Sequence, residues 1–94
     1  MATFFMFGKY TPEGLKGMST DRTNKIKSIV EKFGGKMKSM HAILGDNDLV
    51  FVVDFPGNNE AIKASVAVTK ATGIAFSTSP AVTVDEFDKL MGDI

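Results

Sequence analysis

The 94-residue chain has no cysteine and no tryptophan, and only one histidine and one tyrosine. Without cysteine there can be no disulfide, thiolate nucleophile or thiolate metal site, a usage that suits a reducing compartment. A lone histidine, His41, builds no imidazole cluster within a subunit, so neither a metal nor a cofactor is expected. An excess of one charge is missing too, because eleven Lys and Arg balance eleven Asp and Glu. That balance leaves no net field to draw in nucleic acid or an acidic membrane surface. No apolar run approaches the roughly 20 residues of a membrane span. Nor does any Lys or Arg precede the apolar stretch Phe4–Phe7, which is too short for the core of a signal peptide. The expectation is a cytoplasmic protein with no membrane or nucleic-acid partner.

Apolar bulk is plentiful: 44% of residues are hydrophobic, 23% are charged, and eight are Phe. This composition predicts a packed core rather than disorder. The length allows one domain, residues 1–94, burying roughly 65% of the surface an unfolded chain would expose. A subunit of this size is only marginally stable without help.

Thr3–Tyr10 reads as a first strand, followed by a turn signal at Thr11-Pro12-Glu13-Gly14. Ser19 or Thr20 can cap a helix in which Ile26, Ile29, Val30 and Phe33 recur at i, i+3, i+4 and i+7 until Gly34-Gly35. Lys36–Leu44 and Leu49–Phe55 flank Gly45-Asp46-Asn47-Asp48, a tight hairpin signal. Asn58 can cap a second long helix reaching about Thr72, with Ile62, Val66 and Thr69 on one stripe. Ile74–Ser79 reads as a fourth strand, and Thr83-Val84-Asp85-Glu86 opens a short terminal helix through Phe87, Leu90 and Met91. The order βαββαβ implies an α+β fold of ferredoxin-like type, with a four-stranded antiparallel sheet and two helices on one face. RNA-recognition domains share this order, but Leu49–Phe55 lacks the basic-glycine-aromatic pattern they stack bases on.

A sheet face open to water should alternate apolar and polar residues. Leu49-Val50-Phe51-Val52-Val53 and Phe4-Phe5-Met6-Phe7 are apolar at every position, so the face away from the helices also needs cover. A second copy packed sheet against sheet supplies it, which predicts a homodimer or larger homo-oligomer. With Asp46-Asn47 as the turn, Leu44 opposes Leu49, His41 opposes Val52 and Ser39 opposes Asp54. Ser39, His41, Ile43, Val50, Val52 and Asp54 then share one face. Met40, Ala42, Leu44, Leu49, Phe51, Val53 and Phe55 share the other, which belongs under the helices.

The segments Phe7-Gly8-Lys9-Tyr10-Thr11-Pro12-Glu13, Gly34-Gly35-Lys36-Met37-Lys38-Ser39-Met40, Gly45-Asp46-Asn47-Asp48 and Val53-Asp54-Phe55-Pro56-Gly57-Asn58 together resemble the GYD-domain family. That family is related to the dimeric α+β barrels, and the likeness spans nearly the whole chain. Gly45 and Asp48 match its name-giving hairpin residues, while Asn47 stands where the Tyr would be. The resemblance implies the ferredoxin-like fold and a barrel-like dimer. Related barrels include cofactor-free oxygenases, haem-handling enzymes and ligand-sensing domains. Alternation in the first strand places either Phe4, Met6, Gly8 and Tyr10 or else Phe5, Phe7 and Lys9 on the face between the sheets, and the resemblance favours the Tyr10 set.

Histidine is the one side-chain type whose unperturbed pKa lies in the physiological range, so His41 is the first candidate for proton transfer, with Asp54 to orient it. The plainer reading of His41 is an exposed or interface side chain. Asp54, late in an apolar strand, needs a partner or water because unpaired burial is costly. Tyr10, Met6, Ser39, His41 and Asp54 form the candidate ligand-binding set between sheets, although a Tyr at a strand end is more often a packing residue. Asp46 and Asp48 are accounted for by turn chemistry, Asp85, Glu86 and Asp88 by a helix's first turn, and Lys32, Lys36 and Lys38 by a solvated rim. These residues point first to a homo-oligomeric module that binds a small molecule between packed sheets. The alternatives are a cofactor-free enzyme of oxygenase or isomerase type using His41 as general acid/base, and a pure assembly domain.

Overall fold

A computed structural model describes all residues, 1–94. Eight elements follow one another: β1 (Ala2–Lys9), α1 (Pro12–Lys16), α2 (Thr20–Lys32), β2 (Lys36–Ala42), β3 (Leu49–Phe55), α3 (Asn58–Thr72), β4 (Ala75–Pro80) and α4 (Val84–Met91). The strands form one antiparallel sheet in the order β2-β3-β1-β4, the ferredoxin-like arrangement. α1 lies where only a turn was expected. Thr11 caps it by accepting from the Gly14 N–H, and Pro12 begins it, the position at which a missing N–H costs nothing.

The core forms where α2 and α3 cover one sheet face. Phe4 and Met6 of β1 and Phe51, Val53 and Phe55 of β3 meet Ile26 and Val30 of α2 and Ala61, Ala64 and Val68 of α3. Strand alternation and helix periodicity thus bury their respective stripes. The α3 stripe is not the expected one, because Ile62 and Val66 stay exposed. The small Ala61 and Ala64 allow the α3 backbone to approach the sheet closely, and the larger side chains are left on the flank beside β4. Asn58 is the first helical residue rather than the cap, a position Gly57 holds without a side-chain bond. Gly8 faces Phe76 on the neighbouring strand, where a Cβ would lie 2.8 Å from the ring, so only glycine fits.

Strand β1 corrects one expectation. Phe4, Met6 and Gly8 pair with Val53, Phe51 and Leu49 on the helix side, so Thr3, Phe5, Phe7 and Lys9 occupy the other face. Met6, placed by the sequence reading between sheets, is 0% exposed in the subunit core. The β2–β3 hairpin is also wider than expected. Ile43 N–H donates to the Asp48 carbonyl, leaving Leu44–Asn47 as the loop, and the ladder runs His41↔Val50 and Ser39↔Val52. This two-residue shift preserves the faces, because strand side chains repeat every two residues. It frees Leu44, assigned to the helix face, at the loop tip, where it is 102% exposed. A bulge at Lys38 then adds one residue. Because of it Met37 and Met40, three apart, both pack on the core, which a regular strand would forbid.

Candidate functional site

Two places bring residues of the candidate set together with hydrogen-bonding partners. The first is on the outer sheet face, where Thr3 and Asp54 are cross-strand partners. Thr3 Oγ1 donates to Asp54 Oδ1 at 2.7 Å, and Lys38 Nζ lies 3.7 Å from Asp54 Oδ2. The bulge that adds Lys38 to β2 brings that amine within reach. Asp54 thus has the partners that a half-buried carboxylate needs, supplied by a hydroxyl and an ammonium. The groove beside it, about 710 Å³, runs past Thr3, Phe5, Lys38 and Val52 to Pro80–Thr83 and Glu86 ahead of and within α4.

The second place is the cleft between the first turns of α2 and the hairpin end of the sheet, about 160 Å³. Ile26, Met40, Leu49, Phe51 and Ile74 supply apolar lining, and Tyr10 and Arg22 the larger polar side chains, while His41 borders the cleft from edge strand β2 with its side chain on the outer face. Tyr10 and Arg22 are each placed by a traceable local cause. The Tyr10 backbone N–H donates to Asp48 Oδ2 at 2.8 Å, and the Asp48 N–H donates to the Gly8 carbonyl at 2.8 Å, tying the hairpin to the end of β1. Thr11 Oγ1 donates to the Gly73 carbonyl at 2.7 Å and accepts from the Gly14 N–H, which anchors α1. The Gly14 carbonyl in turn accepts from Arg22 Nη1. Held there, the guanidinium lies 5.9 Å from the centre of the Tyr10 ring, in cation–π range.

The sequence-predicted set is therefore divided. His41 and Asp54 do share the outer face, as expected, but their registers place them four residues apart along β3, about 13 Å at strand rise. No acid/base pair forms between them within one subunit. Asp54 pairs with Thr3 and Lys38, while His41 is exposed on edge strand β2 opposite Val50. Ser39 sits half-buried on the outer face opposite Val52. Tyr10 lies beyond the end of β1 in the second cleft, and Met6 is in the core. No group of three or more His, Asp or Glu is arranged to hold a metal ion. Arg22 was missed. The one available signal was its singularity, since it is the only Arg among ten Lys.

The sheet order and the helix-covered face define an α+β domain of ferredoxin-like class. Within that class the chain belongs to the GYD domain family, whose model matches residues 4–91. Two of the three hairpin positions that name the family have evident structural work here. Gly45 has φ 124°, a conformation that side chains resist, and Asp48 makes the ties to β1 just described. Among curated proteins no match was found. Solved structures with a similar fold include the leucine response regulatory protein of Mycobacterium tuberculosis, with 7% identity and a TM-score of 0.57 over 87% of this chain and 51% of that one. Another is an AsnC family transcriptional regulator from Agrobacterium tumefaciens, with 16% identity and a TM-score of 0.58 over 87% and 50%. The chain spans about half the length of these two proteins, and at such identities the likeness concerns the fold. No helix is long and apolar enough to cross a membrane.

Proposed function

We propose that this domain is a homo-oligomeric module whose outer sheet face packs against that of a second copy. The observation that carries the reading is the centre of that face. Phe5 opposes Val52 and Phe7 opposes Val50, with the two Phe rings 6.1 Å apart edge to face, and both long helices lie on the other side. Four large apolar side chains in one block form the kind of patch that marks an interface. Fully burying each is worth roughly 1.5–3 kcal/mol.

α4 supports the same reading from a second direction. It is capped by Thr83, which accepts from the Glu86 N–H, yet it has no buried residue. Val84, Phe87, Leu90, Met91 and Ile94 form an apolar stripe exposed to between 41% and 95%. Eight residues make a helix too short to be stable alone in water, so its apolar stripe calls for a partner surface. The finer part of the proposal, a small molecule held between the sheets, is supported by the groove beside Asp54, Thr3 and Lys38, which a second sheet would roof over. Gel filtration with light scattering tests the assembly: a dimer or larger species is expected at micromolar concentration, and a monomer overturns the proposal. Mass spectrometry of the gently denatured protein tests for a retained small molecule.

A further inference from the structure

The cleft at the hairpin end of the sheet has a composition that selects a ligand. We propose that it binds a small apolar monocarboxylate, with the carboxylate on Arg22 and the hydrocarbon against Ile26, Met40, Leu49 and Phe51. The cleft lies on the helix side of the sheet, so the proposal does not depend on how the outer face is covered.

Charge is the first ground. Arg22 is permanently cationic and presents five N–H donors in a planar fork. One of its nitrogens is engaged by the Gly14 carbonyl, and no carboxylate pairs with it, since the one ion pair in the structure is Lys38–Asp54. No Asp or Glu lines the cleft. Preorganisation is the second ground. The Gly14 carbonyl holds the guanidinium from α1 while the Tyr10 ring lies beside it, so little side-chain freedom remains to be lost on binding. A fork fixed in this way matches the two oxygens of a carboxylate better than a mobile lysine would.

Size and lining set the rest of the molecule. Eight of the twelve lining residues, the Tyr10 ring included, are hydrophobic, and the volume of about 160 Å³ is close to that of an engineered cavity of about 150 Å³ that accepts benzene. The body is therefore about six carbons, branched or cyclic. The missing acidic residue also discriminates: an α-ammonium beside the carboxylate would lose hydration without gaining a counter-charge. A simple carboxylic acid should bind better than the amino acid built on the same skeleton.

The test uses the whole isotopically labelled protein, with amide shifts followed by NMR as 4-methylpentanoate, 4-methylpentanamide and leucine are titrated in separately. Saturable shifts are expected at Tyr10, Arg22, Thr23 and His41 with the carboxylate, at an affinity on the order of millimolar. The neutral amide and leucine should each bind at least about tenfold more weakly. Arg22→Gln should lower carboxylate affinity by about tenfold or more, and Arg22→Lys should restore part of the loss. Because Arg22 also bonds to α1, Thr23→Glu provides a second route: it sets a competing carboxylate on the cleft wall, in a helix first turn that tolerates acids, and should weaken binding equally. Val52→Lys alters the outer face and should leave binding unchanged, so failed assembly and failed binding are read apart. Absence of saturable shifts, shifts confined to Lys36 and Lys38, equal binding of leucine, or full affinity in a folded Arg22→Gln or Thr23→Glu variant would overturn the proposal.

Discussion

The two faces of the sheet share every strand yet answer to different constraints, and β3 shows this within seven residues. Three of its four odd positions, Phe51, Val53 and Phe55, are 2%, 0% and 0% exposed beneath α2 and α3. Its even positions, Val50, Val52 and Asp54, are only half-buried, although two of the three are as apolar as their neighbours. The inner face is complete within one chain. The outer face has an apolar centre, a Thr3–Asp54–Lys38 cluster at one end, and Ser77 and Ser79 along β4. Apolar residues on both faces with helices on only one leave an apolar surface that the chain itself does not cover, and that surface is the ground for the proposed assembly.

The largest difference between the faces should appear on truncation of the core. Phe51→Ala should cost about 3–5 kcal/mol, measured by chemical denaturation, because it opens a cavity between β3 and both helices. Phe5→Ala, on the outer face, should cost a separated subunit less than half as much; equal losses would mean that the faces are not distinct. Val52→Lys comes next. A lysine on the outer face should dissociate the assembly while leaving the circular dichroism of the subunit unchanged, and unfolding instead of dissociation would argue that Val52 is a core residue.

A double change on α4, Phe87→Ser with Leu90→Ser, should weaken self-association by about tenfold or more without lowering the stability of the isolated subunit. Sedimentation velocity over a dilution series measures it, and an unchanged midpoint would remove α4 from the interface. The smallest effect is expected in the polar cluster. Thr3→Val removes one hydrogen bond to Asp54 and leaves Lys38 beside it, so a loss of about 1 kcal/mol or less is expected from thermal melts. A loss several times larger would show that the cluster is more deeply buried in the assembly than in the subunit.

How far the sequence could be read depended on whether side-chain pattern alone decided the outcome. The limits of β3 and α3, Ser19 as one of two candidate caps, and the division of faces along β2 and β3 were legible, because each rests on local periodicity, a capping residue type or, at the end of α3, a helix-stopping glycine. The facing of β1 was not: Phe4–Phe7 is apolar throughout, so either parity fits, and pairing with β3 decides it. Nor was the buried stripe of α3, where hydrophobicity favours Ile62 and Val66 but close helix–sheet approach selects alanine. The hairpin length escaped because Asp48 is held by Gly8 and Tyr10, residues some 40 positions away in the chain. The Arg22 cleft escaped for a similar reason. Its mount is α1, which resembles a turn locally and becomes a support only through the Thr11–Gly73 bond.

The central claim is that the outer face is an interface, and gel filtration coupled to light scattering of the unmodified protein and of Val52→Lys, both at micromolar concentration, tests it most directly. The unmodified protein should show the mass of two or more chains, and Val52→Lys should show one chain that is still folded. A folded monomer in both samples would contradict the account.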